Sequence, residues 1–198
     1  EKIGLLADAG LNATIIDVEA FALHNAFERS YPNGTDGLVA LVNIGHEVTN
    51  LNLIMDGVPV LVRDIPFGSR RLREALQRER GLTAEQAEDV IQARTNAADL
   101  RGFVADRAEE LAVAIERATA TIIAQSGDRR IGRVFLSGGG ARVPGMADAV
   151  GHRLGVRTEV ANPLEHVAVR PEVTESVALE EVAPMLMLSV GLALRQSR

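Results

Sequence analysis

The chain has 198 residues, of which 46% are hydrophobic and 24% are charged, and its formal net charge is −6. This length suits one domain or one and a half, and the apolar content excludes an intrinsically disordered chain. The acidic balance argues against a general nucleic-acid binder, and the absence of cysteine excludes disulfides, thiolate zinc sites and cysteine nucleophiles. A chain without cysteine fits a reducing compartment, so we expect the cytoplasm.

The segment before the first strand has predicted helices at residues 3–9 and 19–29, with a short extended run at residues 13–17 between them. Turn-forming residue types then fill positions 31–37, which indicates a linker or a domain boundary. The chain begins with Glu1 and shows no signal peptide, so we expect it to be part of a longer protein. No stretch reaches the roughly 20 apolar residues of a transmembrane helix.

Three β-rich runs follow, at Leu38–Ile44, residues 48–55 and Val58–Ile65. Asp56-Gly57 separates the last two, and it is a strong hairpin signal because both positions of a type I′ turn need positive φ. The runs therefore predict a three-stranded antiparallel meander. Alternation gives the middle strand two distinct faces, one of them expected to be wetter. The two faces carry Leu51, Leu53 and Met55, and Asn50, Asn52 and Ile54, respectively.

After the meander the apolar spacing becomes helical. It predicts helices at residues 70–80 and 84–94, the second with Thr83 as its N-cap and Gln86 as the reciprocal partner in a capping box. A single apolar stripe over residues 104–123 predicts one long helix.

The remaining elements alternate between strand and helix. They are a strand at 133–136, a glycine loop at 137–142, a helix at 144–154 that begins with Pro144, a strand at 156–160 and a buried helix at 182–195. The whole order predicts an α/β fold with a mixed sheet, in which two parallel strands join the antiparallel meander and helices cover both faces.

Two segments carry residue types suited to phosphate binding. In residues 43–49, Gly45 lets a ligand approach the backbone, turn amides such as that of His46 can form an anion-binding concavity, and the Thr49 hydroxyl can donate to a phosphate oxygen. An ordinary hairpin turn that contains glycine explains the same residues, and this alternative stays open.

In the second segment, Gly138, Gly139 and Gly140 lie between a strand and a helix. They remove every Cβ that would keep a nucleotide from the backbone, and the following helix N-terminus favours negative charge. A glycine run that only permits close packing is the alternative. If both segments bind phosphate, the two bends must open toward one shared crevice.

These segments resemble the actin-like ATPase superfamily and, within it, the PilM family of type IV pilus assembly proteins. One matching segment is Leu136-Ser137-Gly138-Gly139-Gly140-Ala141. Other matching segments run nearly from end to end of the chain. They are residues 9–11, 16–23, 63–68, 81–83, 87–88, 142–145, 161–163 and 191–195.

The resemblance implies an actin-like (ribonuclease H-like) fold of two lobes, with a mixed five-stranded sheet and the nucleotide between the lobes. This chain would be incomplete, with the first lobe largely absent. Residues 1–36 would be a remnant of that lobe, residues 37–68 and 104–198 the core of the second, and residues 69–103 a mainly helical insertion. Because the phosphate clamp of the first lobe is missing, we expect this chain to bind ATP weakly or not at all.

The resemblance also implies a site for ATP and Mg²⁺. Where family members commonly carry an aspartate that holds Mg²⁺ through its water shell, this chain has Asn43, which supplies no charge and is expected to be a weak contact through water. Lysine is common where Ile91 stands, so we expect at most a weak ATPase and assign no catalytic residue. The implied nucleotide contacts are Gly45, His46, Thr49, Gly68, Glu88, Gly138, Gly139 and Gly140.

The same resemblance implies a cytoplasmic scaffold beneath the inner membrane. Its partners would be the cytoplasmic N-terminal segment of the membrane protein PilN and the inner-membrane pilus platform, with no nucleic acid and no direct membrane insertion. A homo-oligomer is left open. Two alternatives are an actin-fold kinase of small molecules, for which no turn offers a carboxylate base, and an FtsA-like division ATPase, which would end in an amphipathic membrane-targeting helix.

Overall fold

The computed structural model describes residues 2–34, 36–92, 94–95, 100–127, 129–170, 172 and 178–195. Five strands form one sheet in the order β3-β2-β1-β4-β5. β1, β2 and β3 pair antiparallel, whereas β4 pairs parallel with β1 and β5 pairs parallel with β4. This arrangement confirms the predicted mixed sheet. The strands are β1 (Leu38–Ile44), β2 (Thr49–Met55), β3 (Val58–Ile65), β4 (Ile131–Ser137) and β5 (Arg157–Val160).

Helices cover both faces of the sheet. One face packs against α3, α4, α5 and α6, and the other against α2 and α8. Short 3₁₀ turns occupy Gly139–Arg142 and Ala183–Leu186. The helices are α1 (Lys2–Asp8), α2 (Glu19–Ser30), α3 (Ser69–Arg80), α4 (Ala84–Ile91), α5 (Arg101–Gln125), α6 (Met146–Leu154), α7 (Leu179–Val182) and α8 (Met187–Ala193).

β2 is buried on both faces, so the expectation that one of its faces is wetter is wrong. Leu51 and Leu53 lie in the larger hydrophobic cluster, and Ile54 lies in the smaller cluster under α2. Asn52 is fully buried on the α2 side, and its amide nitrogen donates to the Ala20 carbonyl at 3.0 Å. The polar side chain is tolerated there because a hydrogen bond compensates part of its desolvation.

Two local predictions are confirmed by backbone geometry. Asp56 and Gly57 both have positive φ, at 48° and 82°, as a type I′ hairpin requires. At the start of α4 the Thr83 hydroxyl accepts from the Gln86 amide, and the Gln86 side chain accepts from the Thr83 amide. α4 ends at Ile91, three residues before the predicted end at position 94.

The predicted extended run at residues 13–17 belongs to no described strand. Two other predictions are wrong. α6 begins at Met146 rather than at position 144, because Gly145 has a φ of 81°, which an α-helix cannot contain. The predicted final helix is divided at Pro184, which lacks an N–H for the helical ladder, and within α8 only Met187 and Gly191 are buried.

An ion pair joins the segment before α2 to the segment after α8. The Arg195 guanidinium donates to both Asp17 carboxylate oxygens, at 2.6 Å and 3.2 Å. The two helices pack so closely that a Cβ on Gly191 would lie 1.7 Å from the Ala22 carbonyl oxygen. No helix within the described residues combines the length and the apolar character that a membrane span requires.

Candidate functional site

The two bends chosen from the sequence lie side by side at one edge of the sheet. Parallel pairing of β1 with β4 sets Asn43 opposite Ser137, so the hairpin bend after β1 and the glycine loop after β4 leave the sheet together. Contact is direct, because a Cβ on Gly138 would lie 2.4 Å from the Ile44 carbonyl oxygen. The structure therefore brings the residues of the two candidate segments into one place.

The three glycines of the loop differ in what surrounds them. Gly138 has a φ of 81° and touches the backbone of Ile44, and a Cβ on Gly140 would lie 2.1 Å from the Cγ2 atom of Ile44. Both positions require glycine for packing within the chain. A Cβ on Gly139 would meet no atom within 4 Å. Gly139 is thus the position of the three where bare backbone faces open space.

Gly45 and Gly68 allow the hairpin bend to pack against the start of α3. A Cβ on Gly68 would lie 2.3 Å from the His46 carbonyl oxygen, and one on Gly45 would lie 2.7 Å from the Val48 carbonyl oxygen. The first amides of α3 are already used, because Ser69 donates to the Gly45 carbonyl and Arg70 donates to the His46 carbonyl, both at 2.9 Å. These amides are therefore not free to bind an anion in this structure.

The side chain of Thr49 is turned into the protein. It is fully buried, and its hydroxyl donates to the Phe67 carbonyl at 2.7 Å. Donation to a phosphate would require this hydrogen bond to break. The imidazole of His46 is instead 57% exposed and lines a cleft of about 470 Å³ together with Arg70 and Arg71 of α3.

Asn43 lies half-buried between the two bends and contacts polar side chains on both neighbouring strands. Its Oδ1 atom accepts from the Ser137 hydroxyl at 3.2 Å, and its Nδ2 atom donates to Asn50 Oδ1 at 3.3 Å. The described residues contain no group of three or more His, Asp or Glu side chains that could hold a metal. They fit Mg²⁺ only as an ion carried by phosphate oxygens and waters, with Asn43 touching its water shell.

Glu88 lies on α4 and reaches the glycine loop through its neighbour Gln92. Hydrogen bonds from Gln92 and Arg73 lower the pKa of the Glu88 carboxyl, and Arg73 lies 3.3 Å from it. The Gln92 carbonyl accepts from Arg142, which follows the glycines, at 3.3 Å. Gln92 and Arg142 line a cleft of about 440 Å³ beside the loop. Glu88 is thus linked to the glycine loop through Gln92 and Arg142, and to α3 through Arg73.

The contacts at this edge include residues that the sequence reasoning did not select. Asn50 and Ser137 are the polar contacts of Asn43, and Asp64 in turn accepts from Asn50. Gln92 and Arg142 join the glycine loop to α4. The sequence could have identified Asn50, because it lies near the start of the strand that pairs with β1, opposite Asn43. Ser137 carried a signal as well, because its hydroxyl adjoins the glycine run.

The whole chain matches a known protein family. A family model described as type IV pilus assembly protein PilM matches residues 1–197. Among solved structures, a chain of a PilM-PilN type IV pilus biogenesis complex superposes with a TM-score of 0.82 and 29% identity. That match covers 98% of this chain and 56% of the other, so this chain spans little more than half the length of its structural relative.

More distant matches establish the fold. The ethanolamine utilization protein EutJ from Carboxydothermus hydrogenoformans has a TM-score of 0.69 at 22% identity, with 96% of this chain and 58% of that protein covered. MreB 5 of Spiroplasma citri bound to AMPPNP has a TM-score of 0.62 at 14% identity, with 98% and 62% covered. The fold is therefore the actin-like α/β fold expected from the sequence.

Proposed function

This chain belongs to the type IV pilus assembly protein PilM family, and we propose that it is the second lobe of an actin-like scaffold that binds ATP between two lobes. The adjacency of the hairpin bend and the glycine loop carries the nucleotide part of this proposal. Backbone at Gly139 is open to a ligand, as a phosphate or a ribose approaching the main chain requires. The AMPPNP bound to the MreB 5 relative supports nucleotide as the ligand class.

The proposed domain division follows from the two-lobed fold. Residues 1–36 are the remnant of the first lobe, of which α2 packs in one cluster with the sheet of the second. Residues 37–68 and 104–198 form the core of the second lobe, and residues 69–103 are its insertion. α3 and α4 bury their apolar side chains in the same cluster as the sheet, which supports an insertion packed on the core. The edge of this chain that carries Gly139 is then only half of the nucleotide site.

The proposed activity is ATP binding with no more than slow hydrolysis. Asn43 supplies no negative charge for a hard cation, and phosphoryl transfer depends on cations held around the phosphates. Bound nucleotide then acts by setting the angle between the lobes. The carboxylates of Asp64 and Glu88 at this edge already accept hydrogen bonds within the chain, which makes them poor bases for a small-molecule substrate, so the kinase is not our choice.

The proposed partner is the cytoplasmic N-terminal segment of PilN, through which the protein joins the pilus platform at the inner membrane. The relative of known structure is a PilM-PilN complex, which supports this partner for a member of the same family. The proposed location is accordingly the cytoplasm, at the inner membrane through protein contacts.

One titration tests the proposal. The full-length protein and this chain alone are each titrated with MgATP and with a synthetic peptide of the PilN N-terminal segment. We expect the full-length protein to bind both ligands and the isolated chain to bind ATP at least about tenfold more weakly, a difference of about 1.4 kcal/mol. A full-length protein that ignores the peptide but phosphorylates small hydroxylated metabolites would replace this proposal with the kinase.

A further inference from the structure

Four polar side chains form a row across four strands at the edge where the two bends meet. Ser137 on β4, Asn43 on β1, Asn50 on β2 and Asp64 on β3 face one another in register. Three hydrogen bonds join them, at 3.2 Å from Ser137 to Asn43, 3.3 Å from Asn43 to Asn50 and 2.9 Å from Asn50 to Asp64. We refer to these four residues as the polar row.

The carboxylate at one end fixes the direction of every hydrogen bond in the polar row. An ionised Asp64 can only accept, so Asn50 must turn its NH₂ group toward it and its oxygen toward Asn43. Asn43 then turns its own NH₂ group toward Asn50. Its oxygen is left facing Ser137 and the glycine loop, where a Cβ on Gly138 would lie 2.8 Å from it.

The orientation matters because one end of an asparagine amide accepts hydrogen bonds and the other end donates them. The oxygen accepts hydrogen bonds from water around a cation, whereas the NH₂ group only donates and presents positive partial charge. An aspartate at position 43 would offer an oxygen in either orientation. With Asn43, neighbouring hydrogen bonds must select one of the two orientations, and those of Asn50 and Asp64 do so.

We propose that Asp64 is a positioning residue, which acts through Asn50 to hold the side-chain oxygen of Asn43 toward the glycine loop, ready for the hydrated cation of a bound nucleotide. The cation part of this inference rests on the proposed function. Asp64 itself stands two strands from Asn43, roughly 10 Å at the usual strand spacing. It therefore acts through the hydrogen-bonded row and is not a ligand of the nucleotide or of its cation.

Nuclear magnetic resonance of side-chain amides tests the orientation without any nucleotide. The full-length protein is labelled with ¹⁵N-asparagine, and the signals of Asn43 and Asn50 are assigned from the variants Asn43→Ala and Asn50→Ala. We expect Asp64→Ala to shift both signals, and Asp64→Glu to restore them in large part. Asp106→Ala, which removes an exposed carboxylate from α5, is the matched control and should shift neither. Unchanged Asn43 signals in Asp64→Ala would overturn the proposal.

ATP affinity measured with Mg²⁺ and with a chelator tests the consequence for the cation. We expect Asp64→Ala to weaken binding about two- to tenfold with Mg²⁺, the effect of one hydrogen bond, and to leave affinity without Mg²⁺ unchanged. An equal loss under both conditions would show a merely structural role and overturn the cation part. A wild-type protein that binds no ATP under either condition would overturn the proposed function and the cation role with it, while the resonance shifts still decide the orientation.

Discussion

At the scale of single residues, the neighbours Gly139 and Gly140 differ in their surroundings, because Gly140 packs against Ile44 whereas Gly139 faces open space. Alanine substitution should therefore have a different effect at each position. Gly140→Ala should destabilise the protein by about 1–3 kcal/mol, because its Cβ would overlap Ile44, whereas Gly139→Ala should leave stability nearly unchanged. In the full-length protein Gly139→Ala should weaken ATP binding about tenfold, or about 1.4 kcal/mol. Urea unfolding and nucleotide titration measure the two effects. A Gly139→Ala variant with normal affinity would place the nucleotide elsewhere.

The ion pair between Asp17 and Arg195 gives stability a dependence on pH. Hydrogen bonding to Arg195 lowers the pKa of the Asp17 carboxyl below its usual value of 3.8. A depressed pKa stabilises the folded state above the unfolded-state pKa, and this contribution is lost as the pH falls through the folded-state value. We expect Asp17→Asn to lower the melting temperature at pH 7, and the difference from wild type to shrink below about pH 4.

Melting curves between pH 7 and pH 2 measure this difference, and Asp106→Asn on the exposed side of α5 is the control. The control replaces a carboxylate for which the structure shows no arginine partner among the described hydrogen bonds. If Asp17→Asn lowers the melting temperature equally at every pH, the charge of Asp17 does not stabilise the fold.

At the scale of elements, the capping box of α4 holds the start of the insertion. Thr83→Ala removes the acceptor for the Gln86 amide, so it should reduce the free energy of unfolding by about 1 kcal/mol. Thr121→Ala, at an exposed position within α5, is the matched control and should be neutral or slightly stabilising, because alanine favours a helix interior. Equal effects of the two substitutions in chemical denaturation would show that the cap contributes nothing.

The contact between α2 and α8 depends on the absence of a side chain at Gly191. Gly191→Ala places a methyl group 1.7 Å from the Ala22 carbonyl oxygen, so the helices must separate, and we expect a loss of about 1–3 kcal/mol. Gly102→Ala, at the second residue of α5, meets no atom within 4 Å and should stabilise the helix slightly. Opposite signs in denaturant unfolding are expected, and a tolerated Gly191→Ala would contradict the observed closeness of the helices.

At the scale of the whole molecule, the amino-terminal segment exposes apolar side chains that nothing in the described structure covers. Ile3, Leu5 and Ile16 are 54%, 65% and 78% exposed. Because the chain spans 56% of its structural relative, we expect the rest of the full-length protein to cover them. Hydrogen exchange of residues 3–16 should then be at least about tenfold slower in the full-length protein than in this chain, with α5 as the unchanged internal reference. Equal exchange would contradict the assignment of residues 1–36 to the first lobe.

Sequence patterns correctly predicted the features that depend only on residues close together in the chain. The Asp56-Gly57 turn and the Thr83 capping box depend on residues within a few positions of each other, and both have the predicted geometry. Predictions failed where burial depends on residues that are far away in the sequence. Alternation alone gave β2 one wetter face, although α2 covers it, and apolar character alone gave a single buried final helix, although Pro184 divides it and much of α8 is exposed.

The candidate site shows the same division. The sequence was enough to select the hairpin bend and the glycine loop, because glycine at a turn has a local physical meaning. It could not separate Gly139 from Gly138 and Gly140, because the difference lies in Ile44, nearly a hundred positions away in the chain. The roles of Gly45, His46, Thr49, Gly68 and Glu88 toward a nucleotide remain predictions.

By itself, then, the sequence determined the strand and turn chemistry, the two bends and the family, since each depends on residues close together in the chain. Tertiary structure alone decided which side chains meet. Counting outward from the Asp56-Gly57 turn pairs Asn50 with Arg63, but a bulge beside Pro59, which has no N–H to donate, shifts β3 by one residue and pairs Asn50 with Asp64. A shift of one residue exchanges the set of β3 side chains that lies on the face of Asn50. This exchange places the Asp64 carboxylate, rather than Arg63, at the end of the polar row.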